Sequence, residues 1–455
     1  MRVSDAIICI LVTTFAASYG WGMRGSLIGG EKGAMLPGAL IGLILGWFSG
    51  LGAETAAAAG LMGMTFGGTE TYGETIGFVL HRGREDYNPV KGYAGLAFKG
   101  ALWFAVCGAF LGIAMSYNVY DNYDIYYFCL LIPVMQIVGQ LIFNRPYNPE
   151  KNKFPKIYFS KTRREEWGGN LLMLIALVIF AIFHGDYFTL ILISGGFIFG
   201  AIGWLVGMKA FAATVFPLKN GKYLFGKLYH KGIIDGWKFM EFTLGAFGGF
   251  GLSLAYCLGY GYIETYRASL DGPKGIYDEY LRGWIPVILV ACVICIVAVN
   301  LISYICDKKG KELNSYVLDH IERPFYNVIP MMFVLAGSAG GLVTVFMLVF
   351  VVVNKLIFDR LKKVNLISIL LGGAICVAPY MIFTQRIRGV EPFDVVLAGT
   401  IPYIAGEIIC ILSKKCRNGM PLKDALTKTA FVTVFPTFVI MSIILVILYA
   451  KIFMV

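Results

Sequence analysis

Glu70 and Glu74 lie four residues apart in the stretch TFGGTETYGETIG (65–77). Side chains at that spacing share one face of a helix. Two neighbouring carboxylates repel, so one of them can retain a proton, or the pair can hold a cation. Thr71 precedes Glu74 by three residues, which is also capping-box spacing, so Glu74 can serve as a helix cap alone. Gly67 and Gly68 predict an interruption of the preceding helix, with Thr69 or Thr71 starting the next. A broken helix directs free carbonyls and free N–H groups into the protein, and transporters build ion and substrate sites from such half-helices. Ion or proton coupling is therefore assigned to Glu54, Glu70, Thr71, Glu74 and Glu241.

A second polar set lies in GWGMRGSLIGGEKGAMLPGA (20–39), where Arg24, Glu31 and Lys32 stand among Gly20, Gly22, Gly25, Gly29, Gly30 and Gly33. An exposed turn between the first two helices is one reading. The glycine density exceeds what a tight connection needs, and it permits close approach of backbone to a ligand or another segment. Pro37 fits the first turn of the following helix. Glu31 and Lys32 then fall near a helix N-terminus, where free N–H groups and the dipole favour an anion. With Arg24 beside them, a carboxylate, phosphate or sulfate group is a suitable guest. Substrate binding is assigned to Arg24, Glu31, Lys32, Tyr72 and Lys99. Lys99 and Lys238 either pair with the acids or extend to the membrane interface. Glu241 stands one turn from Lys238, at ion-pair spacing.

The elements that must position these groups are apolar. The chain of 455 residues is 58% hydrophobic and only 15% charged, with a mean hydropathy of +0.71, against roughly 25% charged residues in a soluble protein. Long apolar stretches recur at 3–20, 34–52, 93–116, 125–143, 168–184, 189–208, 237–259, 284–306, 325–353, 364–383, 395–413 and 429–453. This pattern predicts an all-α polytopic membrane protein of about twelve transmembrane helices. One or two further segments, 53–80 and the Pro330-containing 325–353, are expected to be interrupted or re-entrant. Asp5 occupies the place where a secretory signal would carry positive charge, so the first stretch reads as a retained helix. No loop is long enough for a separate soluble domain.

The net charge of +11 resides in short loops and follows the positive-inside rule, so nucleic acid is not expected as a partner. The loop 144–167 is the most basic and is assigned to the cytoplasm, and alternation places 117–124 and 184–188 outside. GWFSG (46–50) pairs with GWLVG (203–207), and CGAFLGIAMSY (107–117) with LGAFGGFGLSLAY (244–256). If this is a parallel internal repeat, residues 1–143 form the first unit, 168–306 the second and 325–455 a C-terminal bundle. The segment 53–80 is then an insertion that leaves and returns on the cytoplasmic side.

The ten cysteines lie mostly inside apolar runs and read as packing residues, including Cys292 and Cys295. The four histidines have no ligand spacing, so no metal site is expected, and no motif calls for a cofactor. Glu407 is an isolated acid in PYIAGEIICIL.

GWGMRG, GEKGAMLPGA, GGTETYGETIG and KGALWF together resemble bacterial multi-pass membrane proteins of uncharacterised function. The resemblance spans the first quarter of the chain and implies that these glycines and charges form one unit in a bacterial cytoplasmic membrane.

The leading expectation is a secondary transporter of a small polar or anionic solute, coupled to protons or sodium, with the lipid bilayer and that solute or ion as partners. The alternative is a membrane-embedded transferase or hydrolase acting on a lipid or lipid-linked sugar, with Glu70 or Glu74 as general base and Arg24 with Lys32 holding a phosphate. A structural subunit is a third possibility, in which Glu70→Gln and Glu74→Gln leave function intact.

Overall fold

The computed structural model describes residues 1–268 apart from 28–29, 51–52, 69, 117–118, 121, 145–156, 162–164 and 232–234. Every regular element among them is a helix. These are α1 (Val3–Leu27), α2 (Gly30–Ser49), α3 (Ala53–Gly68), α4 (Gly73–Leu80), α5 (Pro89–Met115), α6 (Asn122–Phe143), α7 (Trp167–Phe183), α8 (Tyr187–Val215), α9 (Gly226–His230) and α10 (Gly236–Ala268). Helices satisfy their backbone groups internally, which hydrocarbon demands of any segment that crosses it. Val3–Gly22, Pro89–Met115, Tyr187–Val215 and Gly236–Tyr266 are long and apolar enough to span a bilayer. Seven of the expected stretches coincide with helices of this bundle. Those from 284 onward, together with the 325–353 hairpin, Glu407 and the Cys292–Cys295 pair, lie outside the described residues.

Several ends are set by local chemistry. Pro89 opens α5, and the Asn88 side chain accepts the Lys91 N–H at 3.0 Å. Asp186 does the same for α8, accepting the Thr189 N–H at 3.0 Å. Gly185, at φ 65°, makes the tight reversal between α7 and α8.

The centre of the bundle is α5, whose residues from Lys99 to Met115 are buried on every side. A helix apolar all round belongs in a core and not on a surface. α8 runs antiparallel to it, with Gly100 against Gly200 and Gly112 against Thr189. α3 also runs antiparallel to α5, with Gly63 against Cys107 and Gly67 against Trp103. α2 returns along α3 through Gly38–Gly60 and Gly42–Ala56. α10 lies antiparallel to α8 and to α1, and α6 to α7. Small residues at these crossings let backbones approach closely, the usual basis of helix association in lipid. Outward-facing apolar residues such as Ile175, Ile179 and Phe183 are exposed.

These directions correct two expectations. α5 and α10 run the same way, but α2, which carries GWFSG, runs opposite to α8, which carries GWLVG. No single parallel repeat relates both motif pairs; glycine-rich helix contacts produce such matches without duplication. The segment 53–80 also does not return to its own side. α3 and α4, about 24 and 12 Å long at 1.5 Å per residue, traverse the bundle from the end where α2 finishes to the end where α5 begins. There Val79 and Phe78 of α4 pack on Gly92 of α5.

The starts of α5, α7 and α10 and the ends of α4 and α8 gather at one end of the bundle, where Arg82 lies over the Phe216 ring at 4.0 Å. The described parts of the connections 81–88, 157–161 and 216–231 share this end. Ser116, Tyr120 and Asp186 meet at the other.

Candidate functional site

The break between α3 and α4 is where the ionisable side chains converge. α3 stops at Gly68 beside Trp103, so close that a Cβ on Gly67 would sit 2.7 Å from that of Trp103. The chain then turns, with the Glu70 N–H donating to the Gly67 carbonyl at 3.2 Å. α4 starts at Gly73 with Tyr72 as its N-cap, and the Tyr72 side chain makes no capping bond.

On one side of the break is a buried acid–base cluster. Glu70 is 3% exposed and accepts from Asn170 Nδ2 of α7 at 3.0 Å through Oε1. Its other oxygen, Oε2, has no hydrogen-bond partner among the described residues. The same Asn170 amide donates to the Phe66 carbonyl at 3.1 Å. Lys99 of α5, fully buried, forms an ion pair with Glu165 Oε1 at 3.1 Å and donates to the Thr71 carbonyl and to Thr75 Oγ1. Glu165 Oε2 accepts the Phe159 N–H at 2.8 Å. Segment 157–161 closes over this cluster, held by Thr75 Oγ1 to the Phe159 carbonyl at 2.7 Å and by the Lys161 N–H to Glu74 Oε2 at 2.7 Å.

On the other side Tyr72 enters a cage of aromatic rings. Trp204 lies 5.1 Å from it, and Trp103 and Trp237 lie at 5.8 Å. Trp21 stacks on Trp103 at 5.1 Å. Arg24 of α1, 3% exposed, lies over Trp21 at 4.5 Å and donates to the Tyr72 hydroxyl at 2.8 Å. That hydroxyl donates in turn to Glu241 Oε1 at 2.6 Å. Glu241 also accepts from Trp237 Nε1 at 3.1 Å and pairs with Lys238 at 3.2 Å. Lys238 reaches across to the Gly22 carbonyl at 2.8 Å. The buried indole N–H groups of Trp21, Trp103 and Trp204 have no acceptor among the described residues.

Arg24, Tyr72 and Glu241, expected to act, are brought into direct contact. Glu241 also makes the expected i,i+3 pair with Lys238. Lys99, expected with the substrate groups, belongs to the acid cluster and does not extend to the interface. Glu70 and Glu74 do not share a helical face, because α4 starts only at Gly73: Glu70 lies in the break and turns to α7, while Glu74 turns to Lys161. Pro37 is inside α2 and not at its first turn, where it packs on Gly20 of α1. The glycines of 20–27 accordingly belong to helix α1, and Arg24 to its last turn. Glu31 and Lys32 fall in α2 and Glu54 in α3; their side chains lie outside the described residues.

Glu165, Asn170 and the tryptophan cage were not foreseen. Their signals were an acidic pair inside an otherwise basic loop, one amide in an apolar span, and four of seven tryptophans on helices that meet. Among the described residues no group of three or more His, Cys, Asp or Glu is placed to hold a metal ion. Set beside known proteins, the chain matches no family model, no curated protein and no solved structure.

Proposed function

We propose that the protein is a secondary transporter of the bacterial cytoplasmic membrane that moves a small polar or anionic solute coupled to protons or sodium. One observation carries this reading: two buried polar clusters of different character converge on a single interrupted helix inside a helical bundle. Interrupted helices at mid-depth are where transporters place solute and coupling ion. Ionisable residues in such surroundings are expensive to keep without a task.

The two sides of the break divide the work. Arg24 and the indole N–H groups around Tyr72 supply donors for an acceptor-rich solute such as a carboxylate. Glu70, with an oxygen to spare, serves the coupling ion. Thr71 and Tyr72 are adjacent, so any rearrangement of the break moves the contacts of both clusters together. The apolar stretches beyond residue 284 bring the total to about twelve spans in this reading. An embedded transferase or hydrolase finds less support, since Glu74 is tied to segment 157–161 and Glu70 is enclosed.

The test is gradient-driven movement in proteoliposomes. Carboxylate, phosphate and sulfate solutes are offered under imposed proton or sodium gradients, with currents recorded on a solid-supported membrane. At least one should give a gradient-dependent current, which Arg24→Ala removes and Glu70→Gln uncouples. If no solute is moved under either gradient, the proposal fails.

A further inference from the structure

We propose that the ion handled at this site is a proton carried on Glu70 Oε2, and not an alkali cation. That this proton drives a solute rests on the transport reading; the proton on Glu70 does not.

The argument concerns which oxygens remain open. A hard cation needs a shell of several oxygen ligands. In broken-helix sites that shell comes from unwound carbonyls together with a carboxylate. Here three carbonyls at the break already serve as acceptors. The Phe66 carbonyl takes the Asn170 amide, the Gly67 carbonyl takes the Glu70 N–H, and the Thr71 carbonyl takes the Lys99 ammonium. Two of these donors, the Asn170 NH2 and the Lys99 NH3+, stand where a cation would have to sit. Of the two Glu70 oxygens, Oε2 alone is left open among the described residues. A single carboxylate oxygen set beside two donors is a poor substitute for a hydration shell, but it is all a proton requires.

The orientation of Asn170 is essential to this; the Phe66 carbonyl, which can only accept, sets it, and the neighbouring amides agree with it. Gln140 Nε2 donates to Gln136 Oε1 at 3.3 Å, and Gln136 Nε2 donates to Asn170 Oδ1. Asn170 Oδ1 is therefore used as an acceptor, and its NH2 must face Glu70 and Phe66. Turning the amide over would set its oxygen against two other acceptors and break both contacts. A donor facing Glu70 Oε1 and a second donor on the Thr71 carbonyl together oppose a cation and leave Oε2 for hydrogen.

The charges facing Glu70 are Lys99 from α5 and Glu165 and Glu166 at the entrance to α7. Lys99 is already matched by Glu165 at 3.1 Å. An ionised Glu70 would add an unmatched negative charge to a buried cluster, and a proton on Oε2 removes it. Releasing that proton to water leaves the carboxylate, which must then be met by Lys99. Lys99 has to divide itself between Glu70 and Glu165, and loosening its bonds to Thr71 and Thr75 loosens the break itself.

Two measurements on the full-length protein in liposomes test this without any solute. Infrared difference spectra should show the carbonyl stretch of a protonated carboxylic acid that is absent in Glu70→Gln. The band should decline about tenfold per pH unit above its midpoint and should not respond to sodium or potassium. On the unmutated protein, dicyclohexylcarbodiimide takes up the proton of a buried carboxylic acid while the carboxylate oxygen adds to its carbon. Peptide mapping should place this adduct on Glu70, with labelling that falls as pH rises and is unchanged by sodium. Sodium protection of Glu70, absence of the adduct, or a band that persists in a folded Glu70→Gln protein would each overturn the inference. A protein that carries the Glu70 proton but moves no solute refutes the transport reading and leaves this one standing.

Discussion

Lys99→Met removes a buried ammonium while keeping most of the side-chain volume, and the geometry sets the size of the effect. The ammonium lies 3.1 Å from Glu165 Oε1, where two unit charges attract by about 5 kcal/mol at an effective dielectric constant of 20. Part of that offsets the desolvation of both groups, so the pair adds little over an apolar replacement. Removing one partner is different, because it leaves the other charge buried and unmatched at a cost of about 3–5 kcal/mol. The Thr71 carbonyl loses its donor in the same step, adding about 1 kcal/mol or more. We expect Lys99→Met to destabilise the protein by about 4–6 kcal/mol and Lys99→Met/Glu165→Gln by only about 1–2 kcal/mol. Glutamine keeps an acceptor for the Phe159 N–H while removing the charge. Reversible unfolding in mixed micelles, followed by tryptophan emission, measures all four corners of the cycle. A single variant within about 1 kcal/mol of the parent, or strictly additive effects, would refute the account of the cluster.

Tyr72→Phe deletes the hydroxyl between Arg24 and Glu241 but keeps the ring. A Tyr72→Phe/Glu241→Gln cycle should give a coupling of about 1.5 kcal/mol, near the top of the range for buried membrane hydrogen bonds. Coupling below about 0.5 kcal/mol would remove the bridge from consideration. Gly67→Val should cost about 1–3 kcal/mol in the same unfolding assay, since the added carbon meets Trp103 and must push α3 from α5; an unchanged midpoint contradicts that contact. In the loop before α5, the hydrogen bond from His81 at 3.1 Å holds the Asp86 carboxyl below its ordinary range, against a small opposing effect of burial. A depressed carboxylate contributes stability above its unfolded value, which is lost as pH falls through the folded value. Amide exchange across 82–88, corrected for intrinsic rate, should therefore accelerate as pH drops below about 4, and Asp86→Asn should abolish that response.

What the sequence made legible followed from local rules. Hydropathy marked seven helices among the described residues, because burial in lipid demands long apolar runs whatever their partners. The interruption after Gly67 and Gly68 was readable for a similar reason. Other features depended on contacts between distant segments. Glycine is common both in turns and at helix crossings, so the stretch around Arg24 read as a connection when it is the packed end of α1. The restart of α4 at Gly73 moved Glu70 off the face it seemed to share with Glu74. Glu165 looked like one charge among many in a basic loop, and only the docking of 157–161 on α4 and the start of α7 on α5 bring it to Lys99.

The pairing of Lys99 with Glu165 also imposes an order on synthesis. The two residues are 66 positions apart, and a ribosome adding roughly 5–20 residues per second supplies the acid about 3–13 s after the base. During that interval α5 is already made, with a lone cation in its middle. The nascent chain must keep Lys99 in contact with water, or delay the lateral release of α5 into lipid, until α7 arrives.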